Sequence, residues 1–307
     1  MTTAPQGQRT TALRLLVTGA RGGLGSDLIR AAAAAGVPVT GLGSADLDIS
    51  DAVAVEQVVA RFAVGVGNDR VVLINAAAYT AVDAAESDAD AAFAVNAGGP
   101  ENLARAAALH GLGLIHVSTD YVFPGNDTTP YEVNDPTGPR SVYGATKLAG
   151  EVAVQAAHPG AHVVRTAWVY GATGSNFVKT MAALESSRET VSVVDDQRGS
   201  PTWSADLAAG LLELAGSGVA GGVLHATGAG ETTWCGLAKA VFEEVGADPA
   251  RVLPTTTEAF PRPAPRPAYS VLSGRAWEQA GLAPLRKWRA ALAAAFAEHR
   301  AELAPHK

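Results

Sequence analysis

The chain has one cysteine, Cys235, in 307 residues, so no disulfide can form within it. That excludes the stapled secreted scaffolds and fits a reducing compartment. No apolar run approaches the ~20 residues that a bilayer span requires, which argues against a helical membrane protein. Residues 1–11 are polar and lack the apolar stretch of a secretion signal; they read as a disordered leader. Positive charge is also in deficit: 23 Lys and Arg against 30 Asp and Glu leave a net charge of −7. A broad nucleic-acid-binding face or attraction to an anionic membrane is therefore disfavoured. A local basic pocket for an anionic substrate stays open. No His/Cys cluster has metal-ligand spacing, and His116 and His225, each inside an apolar run, read as core residues. The expectation is a soluble cytoplasmic protein with no nucleic-acid or membrane partner.

What is present is a regular alternation of apolar strands and amphipathic helices. Leu13-Arg14-Leu15-Leu16-Val17 reads as a strand, and 24–35 as a helix stopped by Gly36. A second strand follows at 37–42 and a helix at 51–63. Val71-Val72-Leu73-Ile74 is uniformly apolar, as in a strand buried on both faces. Residues 86–110 read as a helix interrupted near Gly98-Gly99-Pro100. Strands at 112–118 and 162–168 flank a helix over 142–157. This order predicts a Rossmann-like, doubly wound parallel sheet with a smaller C-terminal substrate-binding lobe. The expected organisation is a dinucleotide-binding domain at 12–170 and a substrate-binding lobe at 171–307. Helices are expected in the lobe at 204–215, 233–245 and 285–303, with some elements returning to the sheet.

Two constellations carry chemistry. Glycines 19, 22 and 25 lie between the first strand and the first helix. Gly19 suits the tight turn, Gly22 allows a pyrophosphate to approach the backbone, and Gly25 lets helix and strand pack closely. The helix N-terminus, with Gly23 and Leu24, then offers N–H groups to phosphates. The second strand ends Gly41-Leu42-Gly43-Ser44 with no acid at its tip. Arg21 in the glycine loop could meet a 2′-phosphate, which favours NADPH, while nearby Asp46 keeps NADH open. Asp48-Ile49 fits two readings, a contact to the adenine or the helix N-cap region before Asp51. Ala76, Ala77 and Ala78, after the third strand, are small enough for a cofactor to lie against their backbone.

Tyr143 and Lys147, at i and i+4, share one face of a helix. A tyrosine with an ordinary pKa of ~10 is protonated at neutral pH and can donate a proton. An ammonium at Lys147 would lower that pKa and stabilise the phenolate left behind. Thr119, at the end of the fourth strand, would hold the carbonyl oxygen. Together these predict carbonyl–alcohol redox chemistry.

The segments Thr18–Gly25, Asn75–Asp83, Val117–Phe123, Tyr143–Glu151, Arg165–Gly171, Asp196–Thr202 and Arg266–Leu272 resemble the dTDP-4-dehydrorhamnose reductase family of extended short-chain dehydrogenases/reductases. The resemblance implies NAD(P)H-dependent reduction of the C4 ketone of a dTDP-linked 4-keto-6-deoxyhexose. It implies a catalytic triad of Thr119, Tyr143 and Lys147. The substrate would meet Tyr79, Asp120, Tyr121, Trp168 and Asn176, and aromatic faces suit the C–H-rich face of a pyranose. Lys179, Arg262 and Arg266 are candidates for its diphosphate. Related 4,6-dehydratases carry Thr-Asp-Glu where this chain has Thr119-Asp120-Tyr121, so reduction rather than elimination is expected. The chain departs from many relatives at Tyr269-Ser270 and Ser273, which bears on the exact sugar. Some relatives are dimers bridged by Mg²⁺. Asp27 matches one such ligand, but Ala205 stands where another would be, so no essential metal is expected, and the assembly is a monomer or homodimer. Two alternatives remain: a ketoreductase for another dTDP-4-keto-6-deoxy sugar of a natural-product pathway, and a non-catalytic nucleotide-binding regulatory subunit.

Overall fold

A computed structural model describes residues 12–64 and 69–305. The expected leader at 1–11 lies outside the described residues. Strands and helices alternate in the first half: β1 (Leu13–Thr18), α1 (Gly23–Ala34), β2 (Val39–Leu42), α2 (Ala52–Ala63) and β3 (Arg70–Asn75). Then come α3 (Val82–Ala85), α4 (Ala89–Phe93), α5 (Gly99–Leu109), β4 (Gly113–Thr119), α6 (Val142–Ala157) and β5 (His162–Thr166). The second half holds β6 (Val169–Tyr170), α7 (Phe177–Ser187), β7 (Val191–Val194), β8 (Arg198–Gly199), β9 (Thr202–Trp203) and α8 (Ser204–Gly216). It continues with β10 (Gly222–His225), β11 (Thr232–Thr233), α9 (Trp234–Glu244), β12 (Val252–Thr255), α10 (Arg275–Gln279) and α11 (Trp288–Leu303).

The main sheet runs β10-β5-β4-β3-β1-β2, and every pairing in it is parallel. Parallel strands need crossovers, and the helices that supply them cover both faces. On one face Leu15, Val17, Ile74, Ile115 and Val164 pack with Leu28 of α1 and Leu207, Leu211 and Leu214 of α8. On the other, Leu16, Leu73, Leu114 and Val163 pack with Val55 of α2, Leu103 of α5 and Val154 of α6. Alternate residues along each strand thus feed opposite cores. A fully buried aliphatic side chain contributes about 1.5–3 kcal/mol, so the two layers lock the sheet between them. A third core joins α7, α9, α11, β7 and β12 through Val178, Phe242, Val252 and Phe296.

Because the sheet is parallel, β1, β3, β4 and β5 present their C-terminal ends along one edge. The register puts Thr18 beside Asn75, Asn75 beside His116, and Thr119 beside Thr166. Two features differ from the sequence expectation. The helix expected from 86 begins only at Ala89, and its expected interruption is a wide turn at Ala94–Gly98, where the hydrogen bonds reach one residue further. Pro100 causes no break, since it falls in the first turn of α5, where a missing N–H costs nothing. The strand expected to reach Trp168 ends at Thr166, because Trp168 takes a left-handed backbone with φ 48°. No helix among the described residues is long and apolar enough to cross a membrane.

Candidate active site

A cavity of about 1080 Å³ lies along this edge of the sheet. Of the residues singled out from sequence, it is lined by Gly19, Arg21, Gly22, Gly23, Leu24, Asp48, Ile49, Ala76, Ala77 and Ala78 on the cofactor side. On the chemical side it is lined by Thr119, Asp120, Tyr121, Tyr143, Lys147, Trp168 and Asn176. Segments more than a hundred residues apart in the chain therefore meet in one cleft.

The cofactor end is built from backbone. Gly19 has φ +69°, a region in which an L side chain is strained, and an added Cβ would lie 2.6 Å from the Ala77 nitrogen. The turn can therefore press against the 76–78 segment only with glycine here. Helix α1 has Gly22 as N-cap, with no side-chain cap and no acid in its first turn. Its leading N–H groups are left for an anion, as a dinucleotide phosphate requires. Arg21 is exposed and pairs with Asp46 at 3.3 Å, and Asp46 also accepts from the Gly43 N–H at 2.8 Å. The N-cap of α2 is Asp51, which accepts from Val53 and Ala54. Asp48 instead folds back on Ser50, whose N–H and hydroxyl hold its carboxyl below the usual range. Ile49 is buried against α5, where Gly99 leaves room for it.

The chemical end is organised by β4 and α6. Ser141 caps α6 by accepting from the Gly144 N–H at 3.1 Å, which fixes where Tyr143 and Lys147 begin their shared face. The Thr119 hydroxyl donates to Asp120 Oδ1 at 3.0 Å and accepts from the Tyr121 N–H at 3.2 Å. Tyr121 meets the Tyr143 ring edge-on at 5.5 Å. Burial pushes the Tyr143 pKa up to about 12, against the lowering effect of Thr119. At Tyr143 the balance thus runs opposite to the expected lowering by lysine. Lys147 is buried as well. Its Nζ donates to the Val117 carbonyl at 2.7 Å and faces His116 Nε2 at 3.4 Å. Burial also brings the Lys147 pKa down to about 8, opposed by the Glu151 carboxylate. Asp120 is buried, and burial pushes its pKa up to about 6, against the Ser270 and Thr119 hydroxyls. Its Oδ2 has no hydrogen-bond partner.

Trp168 is clamped. Its ring stacks on Trp234 with centroids 3.6 Å apart. A Cβ added to Gly199 would fall over the opposite face, 2.5 Å from Nε1 and 2.7 Å from Cζ2. What Trp168 offers the cavity is its rim, rather than the open face expected from the sequence.

Four residues assigned to the substrate lie outside the lining. Tyr79 has its backbone N–H and carbonyl held by the Asn96 side chain at 2.8 and 3.0 Å, and its hydroxyl reaches Asp88. Lys179 Nζ donates to the Ala172 carbonyl at 3.0 Å. Arg266 pairs with Asp83 at 2.9 Å, as Arg262 does at 2.8 Å. The sequence reading missed Asn96, which bonds both Tyr79 and Thr146 from within the wide turn, and Asp83, which gathers both arginines. It also missed Trp234. The interruption expected near Gly98 was the only signal of Asn96, and Trp234 had none. Among the described residues no group of three or more His, Cys, Asp or Glu could hold a metal ion. Asp27 bonds Ser204 and Arg30, and Cys235 is buried.

A glycine turn at a helix N-terminus beside a Thr/Tyr/Lys set defines an NAD(P)H-dependent oxidoreductase of the extended short-chain dehydrogenase/reductase class. The family described as RmlD substrate binding domain matches residues 13–301, and the chain belongs to that family. It is 54% identical over 289 residues to the dTDP-4-dehydrorhamnose reductase of Mycobacterium tuberculosis, covering 92% of each protein. A Streptomyces antibioticus protein described as a probable dTDP-4,6-dihydroxy-2-methyloxan-3-one 4-ketoreductase is 50% identical, with 92% of this chain and 95% of that protein covered. The crystal structure of dTDP-4-dehydrorhamnose reductase from Bacillus anthracis in complex with NADP is similar at a TM-score of 0.88 and 36% identity, covering 94% of this chain and 99% of that one.

Proposed function

We propose that this protein reduces the C4 ketone of dTDP-4-dehydro-β-L-rhamnose to give dTDP-β-L-rhamnose in the cytoplasm, with NADPH preferred over NADH. The observation that carries the reading is the convergence of Thr119, Tyr143 and Lys147 with the uncapped α1 N-terminus in one cavity. The identity to reductases named for this substrate, over nine-tenths of the chain, supports the substrate. A bound nicotinamide supplies hydride to the ketone carbon.

The chain's own residues do the rest. Thr119 turns its hydroxyl from Asp120 to the substrate oxygen and holds the ketone against Tyr143. Tyr143, protonated across the physiological range, gives its phenolic proton to that oxygen as it becomes an alkoxide. Lys147, when charged, stabilises the phenolate and is placed to bond the ribose of the cofactor. Asp120 Oδ2, buried without a partner, accepts a sugar hydroxyl. The absence of a glutamate after Asp120 leaves no carboxylate there for elimination. Arg21, exposed at the cavity, meets the 2′-phosphate of NADPH, and its pairing with Asp46 leaves NADH usable.

A second substrate is favoured by one observation: a 50% identical relative is described as a ketoreductase for a different dTDP-linked sugar. The test is a panel of dTDP-4-keto-6-deoxy sugars, with kcat/KM for each and NMR of the products. The expected result is the highest kcat/KM for dTDP-4-dehydro-β-L-rhamnose and an NADPH/NADH ratio above one. A higher value for another sugar would assign the alternative, and a ratio below one would reverse the cofactor preference.

A further inference from the structure

The hydrogen-bonded row that ends at Lys147 has a direction. Thr18, Asn75 and His116 stand side by side on β1, β3 and β4, all buried. Asn75 Oδ1 accepts from the Thr18 hydroxyl at 2.7 Å and from the Ala77 N–H at 3.1 Å. A backbone N–H can only donate, so that atom is the amide oxygen and the amide's orientation is settled. The amide nitrogen therefore faces His116 Nδ1, at 3.0 Å. An amide nitrogen only donates, so Nδ1 must accept. The ring is then neutral, with its proton on Nε2. Nε2 faces Lys147 Nζ at 3.4 Å. An N–H there clashes with an ammonium, which has only donors, but it can be accepted by the lone pair of an amine. The Val117 carbonyl, 2.7 Å from Nζ, takes one lysine N–H in either form.

We propose that His116 is a positioning residue: its Nε2–H, oriented by Asn75, favours the amine form of Lys147 and so sets the pH at which the active site loses its lysine charge. The inference rests on the reading of Lys147 as the group that supports Tyr143. His116 touches neither substrate nor cofactor and acts only through the lysine.

The surroundings agree in direction. Burial, and next the Lys147 charge, hold His116 well below the usual histidine range, so the ring stays neutral. The groups facing Lys147 are few. On α6 they are Tyr143, one turn before it, and Glu151, one turn after. Glu151 works against His116 by favouring the ammonium, but its carboxylate is engaged by Arg165 of β5 at 2.7 Å and by the Ser118 hydroxyl at 2.5 Å. From β4 and the turn after it come His116 itself and Asp120, whose charge acts on Tyr143. Of the two hydrogen-bond partners of Lys147 Nζ among the described residues, His116 is the one that discriminates between the two lysine forms by a hydrogen.

The test has two arms. In ¹⁵N-labelled wild-type protein, histidine long-range NMR should show His116 with Nε2 protonated and Nδ1 bare between pH 6 and 9. A protonated Nδ1 at neutral pH would overturn the proposal. In the second arm, the Lys147 ionisation is followed by the Cε signal of ¹³C-lysine and by the basic limb of kcat/KM. His116→Leu, and separately Asn75→Ser, should raise both midpoints by about one pH unit, a tenfold change in the ionisation constant. Midpoints that stay in place in both variants would overturn it. The NMR signals need no keto-sugar, so an inactive protein with the expected shifts would count against the substrate and not against His116. If His116→Leu does not fold, the wild-type tautomer and the Asn75→Ser midpoint still decide.

Discussion

Asp120 shows how one buried group couples the chemistry to pH. Its carboxyl is pushed up to about 6 by burial, and its free Oδ2 is offered to a sugar hydroxyl. A carboxylate accepts such a bond more strongly than the neutral acid. KM for the keto-sugar should therefore rise as pH falls through about 6, and Asp120→Asn should give a KM that is higher at pH 7 and flat across that range. Stability moves the other way. The folded pKa lies above the unfolded value near 3.8, so between those pH values the native state holds more protons, and stability falls as pH rises. Asp120→Asn should thus raise Tm at pH 7 and lose that gain below pH 4. Thermal scans at the two pH values check the sign. The proposed catalytic residues were legible because their chemistry is local: an i, i+4 pair on one helix, and a threonine at the end of a strand. His116 was not, since an apolar run describes its burial correctly and says nothing of which nitrogen carries the proton. That depended on the lateral register of three strands. Lys179 and Arg266 were chosen for their charge, but charge alone does not reveal that the Ala172 carbonyl and Asp83 already hold them.

At the scale of elements, α6 is tied to the sheet by more than apolar packing. Glu151 and Arg165 form a buried pair with side chains 3% and 5% exposed, and Ser118 donates to the same carboxylate. Breaking one side of such a pair leaves a buried charge uncompensated. Glu151→Ala should cost about 3–5 kcal/mol, read as a lower denaturant midpoint with an unchanged slope. Between β8 and α9, Gly199 and Trp234 clamp Trp168. A methyl at 199 has nowhere to go, because it would fall on the Trp168 ring, which Trp234 stacks against. Gly199→Ala should cost about 1–3 kcal/mol of overpacking and raise KM for the sugar, while the Kd for NADPH, whose proposed site is the far end of the cleft, stays the same. A changed NADPH Kd with a normal KM would contradict the assignment of the clamp to the sugar end. The main strands and helices up to Thr166 were readable from their period and caps. The two-residue strands β6, β8, β9 and β11 and the helix α7 were not. Pieces that short carry no periodicity, and α7 begins after an irregular glycine-rich stretch at 171–175.

In the whole molecule, chain order and spatial order diverge after residue 170. Helix α8 leaves the C-terminal half to pack on α1, and β10 joins the sheet edge beside β5. These are segments of the C-terminal half that return to the sheet. The cavity exists only because both halves line it: Gly19–Gly25 and Tyr143 from one, Trp168, Asn176 and Trp234 from beyond β5. The central claim is that this joint cavity reduces a ketone with Tyr143 as the proton donor. The most direct measurement is NADPH oxidation by purified protein with dTDP-4-dehydro-β-L-rhamnose, wild type against Tyr143→Phe, with NADPH affinity followed by fluorescence. The account predicts turnover to dTDP-β-L-rhamnose in the wild type, a kcat lower by ~10²–10⁴-fold in the variant, and an NADPH Kd within a few-fold. Near-normal turnover by Tyr143→Phe, or no ketone reduction by the wild type, would contradict it.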